Sequence, residues 1–219
     1  MISSRPISVS RVPEGHAGEL LCRPADVDTH WLSLGQAWQP ALSPNFRAGW
    51  ARLRWHEDFL QYDMVYLGGK ATNRAQTLNE RTWDLGDVAE IFLQRVGLTE
   101  YLEVHITPEN RRLQLLFPEG AITRVRAKQA ALETFFVAQP DWVQSRTMVA
   151  ADHWSVRVTL PPALLHLDAF GPGQRFMSAV CRYDAQPEGP VLSATTPFTE
   201  LSFHQREAWQ ELQLAPHSP

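Results

Sequence analysis

The chain has 219 residues, 20 basic and 24 acidic side chains and a formal charge of −4, with 44% hydrophobic and 20% charged residues. These proportions exclude wholesale disorder and a collagen-like repeat. A chain of this length buries about 70% of its unfolded surface, enough for a core without disulfide staples.

Prolines and glycines punctuate the chain at short intervals, and most runs between them alternate with the period of a strand. In chain order, strands are predicted at Leu20–Arg23, around Ala51, Leu53 and Trp55, and at Phe59–Leu67. Further strands are predicted at Asp87–Val96, around Leu102, Val104 and Ile106, and at Arg111–Phe117, Phe135–Ala138 and Val143–Ala150. The last are His153–Leu160, Arg175–Tyr183 and Trp209–Leu214. Each alternating run has one apolar side, as a sheet with one buried face requires. Turns are expected at Pro108–Asn110, Pro118–Gly120, Gly171–Gly173 and Gln186–Gly189. Helix signals are thin, and only Pro161–Leu165 reads as a single turn. The pattern predicts one all-β domain over residues 1–219, an antiparallel β-sandwich of jelly-roll or immunoglobulin-like layering with at most short helical turns.

Partners are narrowed by charge and hydropathy. The longest basic cluster is Arg111-Arg112, with Arg124, Arg126 and Lys128 nearby, too sparse for a phosphate-binding face, so no nucleic acid is expected. No run approaches the ~20 apolar residues that cross a bilayer, so no membrane is expected. Met1 to Gly15 has no apolar signal core. A cytoplasmic location is the default expectation, and a secreted one holds if a natural start precedes this one. Cys22 and Cys181 have no metal-ligand spacing and make no disulfide framework.

Familiar catalytic motifs are missing: there is no HExxH and no GxSxG, and Gly68-Gly69-Lys70 lacks the spacing of a phosphate loop. His56-Glu57-Asp58 reads as the end of a strand and a turn. Calcium through Asp58 and Asp63, or Asp26 and Asp28, is a nonspecific option. One strand is unusual. From Asp87 onward, Val88, Glu90 and Phe92 share a face, so Glu90 is a carboxylate in an apolar strand. Such a group is costly to bury without a partner. Tyr101, Glu103 and His105 repeat the theme on the next strand, and Arg182 is a cation in a similarly apolar one. Two readings follow: a buried Glu90–Arg182 pair that satisfies itself, or a polar floor in a concave sheet with Trp83 at its lip.

These residues carry a resemblance. Trp83 followed by Asp87-Val88-Ala89-Glu90-Ile91-Phe92, then Tyr101-x-Glu103 running to Pro108, then His153-Trp154-x-Val156-x-Val158-x-Leu160-Pro161, then Arg182-Tyr183, then Phe203-His204 with Trp209, stand in order. In that order and spacing, over residues 28–214, the chain resembles the family 9 carbohydrate-binding modules (CBM9), within the broader group of DOMON-type β-sandwiches. Departures are visible. The second sugar-stacking Trp of binding members falls near Thr195, with Phe198 the nearby aromatic. An Asn before the Arg-Tyr pair is replaced by Ala179, beside Ser178. Glu103 stands where the xylanase-attached modules carry Arg, and an extra residue separates Trp83 from Asp87.

The resemblance implies noncatalytic binding of a carbohydrate or polyol. Trp83 would be the aromatic plate for a sugar's C–H face. Glu90 would accept from hydroxyls, Arg182 would donate to the sugar or hold Glu90, and Glu103 and His204 would extend the floor. Asp87 would orient the Trp83 loop, with Tyr101 and Phe198 in support, and Trp31, Trp38, Trp50, Trp55, Trp142, Trp154 and Trp209 are assigned to the core. The alternatives are a haem-binding module pairing Met64, Met148 or Met177 with a histidine, a protein-interaction sandwich, and a glycoside hydrolase using Glu90 and Glu103.

Overall fold

A computed structural model describes residues 7–11 and 31–216. The expected strand Leu20–Arg23, together with Cys22, Asp26 and Asp28, lies outside the described residues. Among the described residues, twelve strands form two sheets. They are β1 (Ile7–Arg11), β2 (Leu32–Ser33), β3 (Gly49–His56), β4 (Phe59–Leu67), β5 (Val88–Arg95), β6 (Tyr101–Ile106), β7 (Arg112–Phe117), β8 (Gln144–Val149), β9 (His153–Leu160), β10 (Arg175–Asp184), β11 (Val191–Ala194) and β12 (Gln210–Leu214).

The first sheet runs β7-β6-β5-β10-β12-β1, with β11 taking over from β12 along the second half of β10. The second runs β1-β3-β4-β9-β8, with β2 on β3. Strand β1 belongs to both: Ile7–Val9 pair with β12, and Ser10-Arg11 pair with β3. Both of its pairings are parallel, a departure from the antiparallel expectation, while the other ladders among the described residues are antiparallel.

Alternation builds the core between the sheets. Ala89, Ile91 and Leu93 of β5 and Leu102, Val104 and Ile106 of β6 meet Tyr62, Met64 and Tyr66 of β4 and Trp154, Val156, Val158 and Leu160 of β9. Burying each such side chain contributes about 1.5–3 kcal/mol. Ser178 on β10 meets the Tyr62 hydroxyl at 3.1 Å and donates to the Phe92 carbonyl at 2.8 Å, which satisfies its hydroxyl inside this core.

The first sheet also has an apolar outer face. Phe92, Tyr101, Leu113, Leu115, Phe117, Ala179 and Cys181 form a second buried cluster there with Phe198 and Trp209. Its cover comes from segments the sequence did not announce. Residues after β7 form α1 (Ala121–Arg126) and a 3₁₀ turn at Leu132–Phe135, where a strand over Phe135–Ala138 was expected. Only an isolated bridge, Leu115 to Phe136, remains of that strand. The turn expected after β9 is present as Pro162–Leu165.

Candidate functional site

Strand register puts the polar residues on the outer face of the first sheet. Glu90 lies opposite His105 across the β5–β6 ladder, and Glu103 lies opposite Phe92. Glu90 and Glu103 are therefore diagonal neighbours, a relation that places side chains about 7–8 Å apart at the backbone. All of these side chains point away from the inter-sheet core, into a cavity of about 850 Å³. Glu90, Glu103 and His105 form its buried floor. Trp83 stands at one side, half-buried, its ring edge-on to His105 at 5.4 Å. Phe203 and His204 stand at the other, and Ile122, Val125 and Leu132 of the covering segment form a wall.

A relay of hydrogen bonds fixes part of the floor. His105 Nε2 donates to Glu103 Oε1 at 2.8 Å, and its Nδ1 meets Thr82 Oγ1 at 2.9 Å. His204 Nδ1 meets the Tyr101 hydroxyl at 2.9 Å and lies 3.8 Å from Glu103 Oε2. That second oxygen of Glu103 is buried and accepts no hydrogen bond among the described residues. Burial raises the Glu103 pKa, but the bond from His105 and the charges of His204, His105 and Arg126 outweigh it and hold the carboxyl low. Burial lowers His105, yet the flanking Glu90 and Glu103 leave it raised. His204 is lowered, chiefly by burial.

Glu90 differs from both. It is 5% exposed, and among the described residues no hydrogen bond or ion pair reaches its carboxylate. Burial pushes its pKa up to about 7, with the Glu103 charge adding to the rise and His105 opposing it. A carboxyl left in this state is strongly polar, desolvated and open to a donor from outside.

Arg182 is not part of this floor. Cys181 pairs with Glu90 and Arg182 pairs with Ala89, so period-two alternation sends the guanidinium to the opposite face. There it is 1% exposed, donates to the Leu67 carbonyl at 3.0 Å and the Arg47 carbonyl at 3.3 Å, and forms an ion pair with Asp184 at 3.2 Å. The Glu90–Arg182 pair expected from the sequence is not formed; Arg182 fastens one sheet to the other.

Asp87 anchors the loops beneath Trp83. Its carboxylate accepts from the Thr72 amide at 2.9 Å and the Ala185 amide at 3.3 Å. Asn73 donates to the Thr82 and Asp87 carbonyls, linking the same loops to the Trp83 turn. Burial, followed by Asp184, raises the Asp87 pKa to about 6 against the Thr72 bond. Gly86 lets the strands approach here: φ is 151°, and a Cβ would sit 2.2 Å from the Thr72 carbonyl oxygen. Phe198 is fully buried under Phe203, with ring centroids 5.8 Å apart, and supports the wall without lining the cavity. Thr195, at the expected place of a second plate, instead accepts from the Val180 amide through its hydroxyl.

The residues of the remaining options that are described lie as follows. Asp63 faces outward on the second sheet, enclosed by Arg54 and Arg157 at 2.8 and 2.7 Å and by Arg52 at 3.3 Å. A carboxylate so enclosed is unsuited to calcium. His56, Glu57 and Asp58 end β3 and form the exposed turn into β4. Met64 is in the inter-sheet core, and none of Met64, Met148 and Met177 is among the residues lining the cavity.

Phe203, Tyr183 and the covering segment join the cavity in addition to the residues expected of it, and His105, expected only alongside Glu103, becomes a central part of its floor. His105 was detectable, since it alternates with Glu103. The segment had a fainter signal: Gly120, then Ala121, Ile122 and Val125 at helical spacing.

No family model matches the chain, and no curated protein matches it in sequence. Solved structures do match. A candidate carbohydrate-binding protein from Bacteroides uniformis superposes with a TM-score of 0.69 at 12% identity, covering 84% of this chain and 85% of its own. A family 9 carbohydrate-binding module from Caldicellulosiruptor kristjanssonii, solved with cellotriose, gives 0.63 at 15% identity over 98% of this chain and 95% of its own. The module in complex with glucose gives 0.62 at 14% identity, with 98% and 97% covered. The chain therefore has the fold of the family 9 carbohydrate-binding modules.

Proposed function

We propose that this protein binds a carbohydrate or polyol, without catalysis, in the cavity above β5 and β6. The observation that carries this reading is Glu90: a buried carboxylate with no partner among the described residues, set in an aromatic-lined cavity. Pyranose rings present hydroxyl donors at their edge and apolar C–H faces, and the site is complementary to both. Trp83 and Phe203 supply flat apolar walls, while Glu90 and Glu103 accept from hydroxyls. Each charge-assisted bond contributes roughly 1.5–3 kcal/mol. The fold shared with modules solved with glucose and cellotriose supports the same reading. α1 and the following turn wall the cavity with Ile122, Val125 and Leu132, adding apolar surface beside the floor. A screen of monosaccharides and oligosaccharides against purified protein tests it; absence of binding to every sugar contradicts it.

A second reading is glycoside hydrolysis. It is favoured by the contrast between Glu90, with a raised pKa, and Glu103, with a lowered one, which is the division of labour an acid–base pair needs. Release of an aryl leaving group from synthetic glycosides, lost on Glu90→Gln, would establish it.

A further inference from the structure

We infer that the preferred ligand carries a protonated amine, an amino sugar in place of its neutral hydroxyl counterpart, with the ammonium seated between Glu90 and Glu103. This rests on the carbohydrate reading above and narrows it. The floor offers acceptors whose donors are missing. Neither oxygen of Glu90 is bonded, and Glu103 Oε2 is buried without a hydrogen bond, all among the described residues. The floor's own donor is already spent: His105 gives Nε2–H to Glu103, and its Nδ1 is engaged with Thr82.

A hydroxyl entering here donates one proton and brings lone pairs that the floor's acceptors cannot satisfy. An ammonium donates three and accepts none, which suits a floor with three oxygens that lack a hydrogen bond among the described residues. It also supplies a counter-charge to the Glu90 carboxylate, which no hydrogen bond or ion pair reaches among the described residues. The walls agree. Trp83, Phe92, Phe117 and Phe203 surround the floor, and aromatic faces attract a cation that has left water.

Cations also lie near. Arg81, Arg126 and Lys128 line the mouth, but they are exposed, where water and salt screen them. His204 stands beside Glu103 with its pKa lowered, chiefly by burial. His105, opposite Glu90, is the competing cation of the floor, and an arriving ammonium favours its neutral form. Cys181 and Tyr183 on β10 complete the surroundings of Glu90 and bring no positive charge.

The test is a ligand charge series on the full chain by titration calorimetry at neutral pH: glucosamine, glucose, N-acetylglucosamine and glucuronate, with galactosamine and galactose as a second matched pair. At least one amine is expected to bind about tenfold more tightly than its hydroxyl partner, the gap between a charge-assisted and a neutral hydrogen bond. N-acetylation, which keeps the nitrogen and deletes the charge, should abolish the preference, and glucuronate should bind worst. In Glu90→Gln the preference should vanish, whether the remaining binding is equalised or lost. Equal or tighter binding of the neutral sugars overturns the amine assignment and leaves carbohydrate binding standing. Preference for glucuronate, or a full amine preference retained in Glu90→Gln, overturns it as well. No binding by any member, and none across the wider sugar screen, overturns both.

Discussion

Glu90 lies directly opposite His105 across the β5–β6 ladder, yet His105 gives its hydrogen bond to Glu103. The neighbour that could have neutralised Glu90 is thus committed elsewhere. One carboxylate is held low by its partner, while the other stays desolvated, with a pKa of about 7. The site has an open acceptor because of this choice of partners within one small cluster.

That choice has a measurable cost in stability. Glu90 is raised from 4.5 to about 7, so the folded state keeps its proton over a window in which the unfolded chain has released it. Stability therefore falls as pH rises from about 4.5 to about 7, by roughly 3 kcal/mol when complete. Asp87, raised to about 6, and His105, also raised, contribute slopes of the same sign. Glu90→Gln is expected to raise stability above pH 7 and flatten the profile between pH 5 and 7. Urea unfolding followed across pH measures it; an unchanged slope would contradict the burial of an ionisable Glu90.

Ligand affinity should carry the opposite dependence. An ionised Glu90 accepts hydrogen bonds from a sugar hydroxyl, and a protonated one has lost much of that capacity. Affinity for a neutral sugar is expected to rise between pH 6 and 8 and level off above. Glu90→Gln should remove the rise. Calorimetric titrations at several pH values provide the measurement.

Trp83 is a surface of the cavity and Arg182 is a clamp of the fold, so their substitutions should separate. Trp83→Ala is expected to weaken sugar binding by about tenfold or more, through loss of the stacking face, with a modest effect on the melting temperature. Arg182→Met leaves two carbonyls without their donor and takes the 3.2 Å ion pair from buried Asp184, which keeps only Gln186 and the more distant Arg47. It should destabilise by about 3–5 kcal/mol. Whatever fraction remains folded at low temperature should bind sugar with unchanged affinity. Loss of affinity in folded Arg182→Met would contradict the separation of the two faces.

Gly86 supplies a further check on the Trp83 loop. Its φ of 151° and the Thr72 oxygen 2.2 Å from a Cβ leave no room for a side chain. Gly86→Ala is expected to lower the melting temperature and weaken binding together, because the displaced backbone carries Asp87 and Trp83. Thermal melts and titrations on the same sample separate this from Trp83→Ala, which should affect binding far more than folding.

The sequence disclosed the sandwich through alternation and turn signals, and the predicted strand Phe59–Leu67 emerges as β4 with the same bounds. It also disclosed which face Glu90 and Glu103 share, since period two is a local property. It misplaced Arg182 because the partner of Glu90 depends on register between β5 and β10, which is set by distant pairing. Residue 181, and not 182, falls opposite Glu90. The covering segment was hidden for another reason. The helix α1 is six residues long, too short for a clear periodicity, and it is held by contacts with Phe117 and the outer sheet face. Strand β11 is four residues long and paired through Cys181 to Asp184, again a tertiary effect.

The most direct test of the central claim is a titration of the wild-type chain, Trp83→Ala and Glu90→Gln with a panel of monosaccharides and short oligosaccharides. At least one sugar is expected to bind the wild type, and both substitutions are expected to weaken that binding while the variants remain folded. A panel without any binder, or a bound sugar indifferent to both substitutions, would contradict it.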